Sequence, residues 1–204
     1  MVAHDEEYER KRQQLIDGAL AVFSEKGFDK ATNQDIAEAA GIASPGLIYH
    51  YFESKADLLR QAMSARAPSL QSVMHNEALM GMAPRAALTL IGSAFLAALN
   101  DPENRRLFRV IIGEGLRNPA MAEAWHCASS LPIKRGLVRY LESKMQAGEL
   151  RHADPVAAAN CFLGPILLYV LSNELFGPAD APRLDPDSML ATAVEVYLRG
   201  LEAI

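Results

Sequence analysis

The chain has 204 residues, 50% of them hydrophobic, and a formal net charge of -5. This apolar content suffices for a packed core in one domain or two small ones and argues against an intrinsically disordered protein. The polar N-terminus lacks a signal-peptide core, and the longest apolar run, Phe162–Leu171, is about half of the roughly 20 residues a membrane helix needs, so we expect a cytoplasmic protein without membrane contact.

Four helices are predicted in the N-terminal third of the chain, and the first and last of them are the longer ones. The first runs from about Glu7 to Lys26 with apolar residues at i, i+3, i+4 and i+7, and the glycine that follows ends it. The last is capped by Ser54 and runs towards Ala65, where a proline three residues on ends or kinks it.

Between these two, a pair of short helices is joined by a glycine turn. The first begins at Thr32 as its N-cap, has Asp35 as the partner in a capping box, and ends at Gly41. The second, Pro45–Tyr51, follows Ser44 as N-cap and has proline at its first position, where no N–H group is needed. Such a bihelical unit can place its second helix in the major groove of DNA.

The rest of the chain is divided by glycines and prolines into further helices, and no strand-like alternation occurs, so the fold class is predicted to be all-α. The predicted helices are Pro84–Asn100, Glu103–Gly115, Pro119–Gly148, Asp154–Phe176 and Pro186–Ala203. A loop is predicted over residues 177–186. Within the fourth of these helices, Gly164-Pro165 predicts a kink, and kinks often border cavities.

The stretches TNQDIAEAAG (residues 32–41) and SPGLIYHYFESK (residues 44–55) resemble the TetR (tetracycline-repressor-like) family. The family signature is a Thr-led helix with Ile-Ala and Ala-Gly, then a helix ending Leu/Ile-Tyr-x-x-Phe before Lys, and the resemblance covers about residues 10–60. It implies an N-terminal three-helix helix-turn-helix DNA-binding head, residues 1–53, and a C-terminal helical ligand-binding and dimerisation domain, residues 54–204. The implied function is a ligand-responsive transcriptional regulator, by family default a repressor.

The resemblance also implies which side chains contact DNA. In the recognition helix Ile48 and Phe52 are four residues apart and anchor inward, which leaves the neighbouring side chains to face the groove. At the start of the second helix the implied phosphate contacts are Thr32, Asn33 and Gln34. Gln34 is also implied to reach a base. The residues implied to face base edges are Pro45, Gly46 and Leu47. The remaining implied phosphate contacts are Ser44, Tyr49, His50, Tyr51 and Lys55.

Aromatic and thioether residues accumulate in the middle helices, and an apolar cavity with few polar groups is typical of a small-ligand pocket. We therefore expect a small apolar or aromatic effector. The candidate pocket residues are Phe95, Phe108, Met121, Trp125, Phe162 and Tyr169, with Arg109, Asn160 and Asn173 as polar partners. The same residues would equally fill an ordinary core.

The resemblance further implies that the last two long helices pair with their copies across a two-fold axis. The candidate dimerisation residues are Met189, Ala193, Val196, Leu198 and Leu201. An ordinary intrachain core has the same spacing. A homodimer suits the function, because one short helix reads few base pairs and two heads can read the half-sites of a palindromic double-stranded operator.

Two other classes of function were weighed. An enzyme is disfavoured, because the adjacent His126 and Cys127 point about 100° apart on a helix and no metal-ligand or nucleophile spacing recurs, so no cofactor or metal is expected. A dimeric ligand- or protein-binding module with a degenerate head is the alternative. The mixed charge of residues 10–60 and a turn between Gly41 and Tyr49 one residue longer than the common family pattern slightly favour it. The sequence leaves activation or repression open.

Overall fold

The computed structural model describes residues 2–65, 68–127, 131–176 and 184–201, and every regular element in those ranges is helical. The first half of the chain forms α1 (Val2–Lys26), α2 (Asn33–Ala39), a 3-10 turn (Pro45–Leu47), α3 (Ile48–Tyr51), α4 (Lys55–Ala65), α5 (Pro68–His75), α6 (Ala78–Gly81) and α7 (Pro84–Asn100). The second half forms α8 (Pro102–Gly115), α9 (Pro119–Trp125), α10 (Leu131–Gln146), α11 (Pro155–Tyr169), a π-helical extension (Val170–Leu175) and α12 (Pro186–Leu201). The predicted all-α class is confirmed.

The helix predicted over Pro119–Gly148 corresponds to α9, which is followed by π-helical residues 126 and 127, and to α10. Residues 128–130 lie outside the described ranges, so a single continuous helix here stays a prediction. Pro132 lies in the first turn of α10, where a missing N–H group costs no helix hydrogen bond. The short helices α5 and α6 were not predicted. Pro68 is expected from the sequence to end the preceding helix, whereas in the structure it is the first residue of α5.

Two compact units make up the fold. Met1–Ala67 and Arg106–Ser130 form the first unit, and Pro68–Arg105 and Leu131–Ile204 form the second. The predicted domain boundary between residues 53 and 54 does not coincide with these units and stays a prediction about the functional parts of the chain.

One hydrophobic core joins the helices of the first unit. Its large buried side chains include Leu15, Ile16, Phe23, Ile36, Ile48, Phe52, Leu58, Leu59, Leu107, Ile111 and Met121. Because Leu107 and Ile111 come from α8 and Met121 comes from α9, these two helices are part of the packing that supports α1 to α4. Removal of this apolar surface from water is the main term holding the unit together.

The second unit is held by helix packing and by buried tyrosine hydroxyls. Tyr140 on α10 donates to the carbonyl of Met82 at 2.9 Å, and Tyr197 on α12 donates to the carbonyl of Ala158 on α11 at 3.0 Å. Burial raises the pKa of both tyrosines, so both hydroxyls remain protonated donors. The loop predicted over residues 177–186 falls largely on residues 177–183, outside the described ranges.

Candidate DNA-binding site

The start of α2 is fixed by the predicted capping box. The Thr32 hydroxyl accepts from the Asp35 N–H at 3.1 Å, and the Asp35 carboxylate accepts from the Thr32 N–H at 3.0 Å. Lys26, in the last turn of α1, donates to the same carboxylate at 2.7 Å. The hydrogen bond from Lys26, followed by those from Thr32, holds the pKa of Asp35 well below its usual range. The result is an α2 N-terminus attached to α1.

The turn between α2 and the recognition helix is tight. Gly41 has φ of +67°, a conformation that glycine adopts without steric cost. Ser44 is extended as an N-cap should be, but its side chain makes no capping hydrogen bond, and the helix begins with a 3-10 turn. The predicted N-cap position of Ser44 is therefore confirmed, without a hydrogen bond from its side chain. The predicted inward anchors, Ile48 and Phe52, are both buried.

The side chains predicted to contact DNA differ in their exposure. Those on the surface are Thr32, Gln34, Ser44, Gly46, Tyr49 and His50, and those partly buried are Asn33, Pro45, Leu47, Tyr51 and Lys55. Tyr49 keeps 60% of its surface exposed. Asn33 donates from Nδ2 to the Tyr49 hydroxyl at 2.9 Å, which joins the start of α2 to α3. Asn33 and Tyr49 together form the polar edge of the helix pair.

Tyr8 is a contact of the recognition helix that the sequence reasoning missed. Its ring lies 4.6 Å from that of Tyr51 and 6.1 Å from that of His50, measured between centroids. Tyr8 lies seven residues before the buried Leu15, so the apolar stripe of α1 continues into this position. Extending the stripe towards the N-terminus would have indicated the contact.

Lys55 is engaged within the first unit. Its Nζ donates to the carbonyls of Phe28 at 2.7 Å and Ala31 at 3.0 Å, and it lies 4.5 Å from the centre of the Phe28 ring. The phosphate contact predicted for Lys55 stays a prediction, while the observed contacts give this side chain a structural role beside α2.

The six candidate pocket residues are divided between the two units. In the first unit, Phe108 and Trp125 pack with ring centroids 5.3 Å apart, and Met121 is fully buried in the core. The candidates in the second unit are Phe95, Phe162 and Tyr169. Met121 is therefore an ordinary core residue, which was the alternative to a pocket residue in the sequence analysis.

A cavity of about 890 Å³ lies in the second unit, between α11 and α12. Of the candidate pocket residues, Tyr169 lines it, and its hydroxyl donates to the carbonyl of Leu184 at 3.1 Å. The candidate dimerisation residues that line this cavity are Met189, Ala193, Val196 and Leu201. Leu198 is buried instead, whereas Val196 is 66% exposed.

Helix α11 and its extension carry exposed apolar side chains. By length and composition alone, Pro155–Asn173 is long and apolar enough to cross a membrane, although the counted run, Phe162–Leu171, was too short. A single helix of this kind is weak evidence for a membrane span, because packed helices of globular proteins meet the same test. Its exposed side chains include Leu168, at 65%.

Helices α2 and α3 are short, are joined by a glycine turn, and leave Tyr49 and His50 of the second helix exposed. This arrangement defines the first unit as a helix-turn-helix DNA-binding structure. Residues 15–62 match the family described as bacterial regulatory proteins, tetR family, and residues 86–200 match the AefR-like transcriptional repressor, C-terminal domain. The chain belongs to the TetR family of DNA-binding transcriptional regulators. This membership confirms the predicted regulator and excludes the enzyme class.

Individual relatives agree with this family. The HTH-type transcriptional repressor Rv1474c of Mycobacterium tuberculosis (strain ATCC 25618 / H37Rv) is 27% identical over 77% of this chain and 78% of its own length. The structure of the flavonoid-responsive regulator FrrA is 27% identical, covers 95% of this chain and 98% of its own, and superposes with a TM-score of 0.70. A TetR family transcriptional regulator from Pseudomonas syringae pv. tomato str. DC3000 shares the fold, with 21% identity, coverage of 96% and 98%, and a TM-score of 0.72. Several other curated relatives match over less than half of their own length.

Proposed function

We propose that this regulator binds a palindromic operator as a cytoplasmic homodimer and leaves it when a small apolar or aromatic effector binds. TetR-family regulators bind operators, typically as dimers, and respond to small-molecule effectors. The observation that carries the DNA-binding part is the polar edge, an exposed Tyr49 hydroxyl held at 2.9 Å by the Asn33 amide. Both residues lie at the helix ends where the resemblance implies DNA contacts, and a neutral hydroxyl or amide can donate to phosphate.

The proposed contacts divide between positioning and reading. Polar groups at the start of α2, before the 3-10 turn and on α3 meet phosphates and fix the register, namely Thr32, Asn33, Gln34, Ser44, Tyr49, His50 and Tyr51. Lys55, the first residue of α4, adds its positive charge beside them while its Nζ donates to two backbone carbonyls. The backbone and apolar groups before α3 face base edges, namely Pro45, Gly46 and Leu47. Repression is supported by the relative named as a repressor and by the matched C-terminal domain. No comparison favours the alternative of a degenerate head.

The proposed dimer face is formed by α11 and α12 of the second unit. Val196 and Leu168 remain about two-thirds exposed here, and the cavity between the two helices is lined mostly by apolar groups. Burial of apolar surface stabilises by about 25 cal/mol per Å², so a second copy that covers this face would be bound favourably. Of the predicted dimer residues, those proposed to lie on this face are Met189, Ala193, Val196 and Leu201, which line the cavity. Leu198 is buried within the protomer and is left out of the proposed face.

The proposed effector is small and apolar or aromatic. FrrA, with 27% identity over nearly the whole chain, is named as flavonoid-responsive, and a flavonoid is an aromatic molecule. Of the predicted pocket residues, those proposed to contact the effector are Phe95, Phe162 and Tyr169 of the second unit. Phe108, Met121 and Trp125 pack within the first unit and are left out of the proposed pocket. Binding must differ between the DNA-bound and released states, because an effector with equal affinity for both would shift nothing.

The first test is binding of the purified protein to the DNA upstream of its own gene and to a scrambled sequence, across a salt series. Tight, selective binding that weakens steeply with salt supports the proposal and supplies the assay for effector screening. Weak and equal binding to both DNAs, repeated on a random operator library, would contradict it and move the degenerate-head alternative forward.

A further inference from the structure

The turn between α1 and α2 is held from two sides at a single residue, Phe28. The Phe28 N–H donates to Oε2 of Glu114, the penultimate residue of α8, at 2.8 Å. On its other side the Phe28 carbonyl accepts from Lys55 Nζ at 2.7 Å. Both polar groups of this residue are therefore fixed by charged side chains, and such bonds are about twice as strong as neutral ones.

Glu114 lies directly against the turn. Gly27 has φ of +78°, and a Cβ built there would collide with the Glu114 carboxylate. A second bond is made by Asn118, the residue directly before α9. Its Nδ2 donates to Oδ1 of Asp29 in the turn at 2.6 Å. Asn118 also caps α9, since its Oδ1 accepts two backbone N–H groups. The end of α8 and the start of α9 are thus bonded to one short turn.

The turn leads into the DNA-reading elements. Lys55 Nζ also donates to the carbonyl of Ala31, the residue before the N-cap Thr32. Helix α2 then begins with Asn33, whose amide holds the Tyr49 hydroxyl. A shift of the turn would move the start of α2, and with it the polar edge, by a comparable distance.

We infer that Glu114 is a positioning residue for DNA recognition, which acts through the Phe28 peptide and the start of α2. The inference rests on the proposed DNA-binding edge, and it adds a residue that lies outside the helix-turn-helix motif.

The test compares Glu114→Ala with Glu114→Gln and with Glu123→Ala in the full-length protein. Glu123 is an exposed carboxylate of α9 in the same unit, so its variant matches the change in net charge. We expect Glu114→Ala to weaken operator binding about tenfold while it stays folded, because loss of a charge-assisted bond of this kind corresponds to about that factor. Glu114→Gln retains an oxygen acceptor and should keep most of the affinity.

Affinity of Glu114→Ala equal to that of Glu123→Ala would overturn the inference. If Glu114→Ala does not fold, Glu114→Asp decides instead, because it keeps the charge but its side chain is one methylene shorter and draws the carboxylate away from the Phe28 N–H. Weakened operator binding by that variant supports the inference, and unchanged binding overturns it.

A second readout separates this inference from the proposed function. Hydrogen exchange of the α2 amides needs no DNA, and Glu114→Ala should speed it at residues 35–38 relative to Glu123→Ala. Failure of the wild type to bind any operator would contradict the proposed function alone. Unchanged exchange in α2 would overturn the positioning role whether or not an operator is known.

Discussion

Tyr49 combines exposure with a fixed hydroxyl, which makes it the sharpest residue-level test of the DNA-binding site. Tyr49→Ala is expected to weaken operator binding by roughly tenfold or more, the equivalent of one lost hydrogen bond to a charged group. The thermal unfolding temperature should change little, because most of the side chain is already exposed. Operator titrations and thermal unfolding measure the two effects.

The bond between Asn33 and Tyr49 supplies the control for this prediction. Tyr49→Phe keeps the ring and removes only the hydroxyl, so it should account for most of the loss if the hydroxyl meets phosphate. A double-mutant cycle with Asn33→Ala then measures the coupling of the two side chains. Operator affinity that is unaltered in Tyr49→Ala would remove Tyr49 from the proposed site.

Asp35 links the stability of the head to pH. Its pKa in the folded protein is depressed, so its contribution to stability is complete above the ordinary value of about 3.9 and is lost as pH falls below that value through the depressed pKa. Asp35→Asn should therefore unfold at a lower temperature than the wild type at pH 7, and the difference should shrink below about pH 4.

Thermal unfolding of both proteins between pH 7 and pH 3 measures this effect, with Glu38→Gln as the control. Glu38 is an exposed carboxylate of the same helix, and its variant should stay close to the wild type at pH 7. A difference between Asp35→Asn and the wild type that is the same at every pH would refute the assigned cause.

Sequence patterns predicted those features of the site that depend on contacts between residues three or four positions apart. The Thr32 and Asp35 capping box and the inward anchors of α3 follow from spacings of three and four residues, and both are confirmed. The contacts of Glu114 with Phe28 and of Tyr8 with Tyr51 join residues 86 and 43 positions apart. No periodicity within one helix encodes such pairs.

At the scale of elements, α1 and α2 pack most closely at Gly18. A Cβ at this position would lie 2.8 Å from the backbone N of Ala40 and 2.9 Å from its Cβ, so the helix backbones would have to separate. Gly18→Ala should lower the free energy of unfolding by about 1–3 kcal/mol, since the strain of overpacking exceeds the gain in helix propensity of up to about 1 kcal/mol.

The matched control is Gly113→Ala in α8, where a Cβ meets no atom within 4 Å. This variant should stabilise the protein by about 0.5–1 kcal/mol through helix propensity alone. Denaturant unfolding curves give both values. Equal effects of the two substitutions would show that the close contact at Gly18 does not limit packing.

Helix ends were predicted well where a cap or a proline marks them. The predicted bounds of α7, Pro84–Asn100, agree with the structure, and Asp154 caps α11 by accepting two N–H groups. Pro119 likewise marks the predicted start of α9, which Asn118 caps by accepting two N–H groups.

At the scale of the whole molecule, the chain passes from one unit to the other three times. The first unit takes α1 to α4 from the N-terminus and α9 with most of α8 from the middle of the chain. The sequence motif covers only the N-terminal part, so the boundary at residue 53 marks the motif and not the compact unit. Discontinuous units are set by packing between distant segments, which a local pattern does not contain.

The proposed dimer face makes the last prediction, because its exposed apolar side chains require cover. Val196→Glu places a charge at the edge of the cavity between α11 and α12, whose lining is mostly apolar. Burying an unpaired charge is costly, so the variant should sediment as a monomer at concentrations where the wild type is a dimer. Operator affinity should fall by a factor of about 10²–10⁴, because a monomer has one head and loses the gain in affinity that two linked heads obtain by binding both half-sites together.

The control for this variant is Leu116→Glu, which alters an apolar residue of the first unit that is 92% exposed. It introduces the same charge away from α11 and α12 and should leave the dimer intact. Sedimentation velocity over a concentration series distinguishes the two variants. Only a charge on the true interface should separate the two copies. A Val196→Glu protein that stays dimeric, or a Leu116→Glu protein that becomes monomeric, would therefore show that the copies meet on a surface other than α11 and α12.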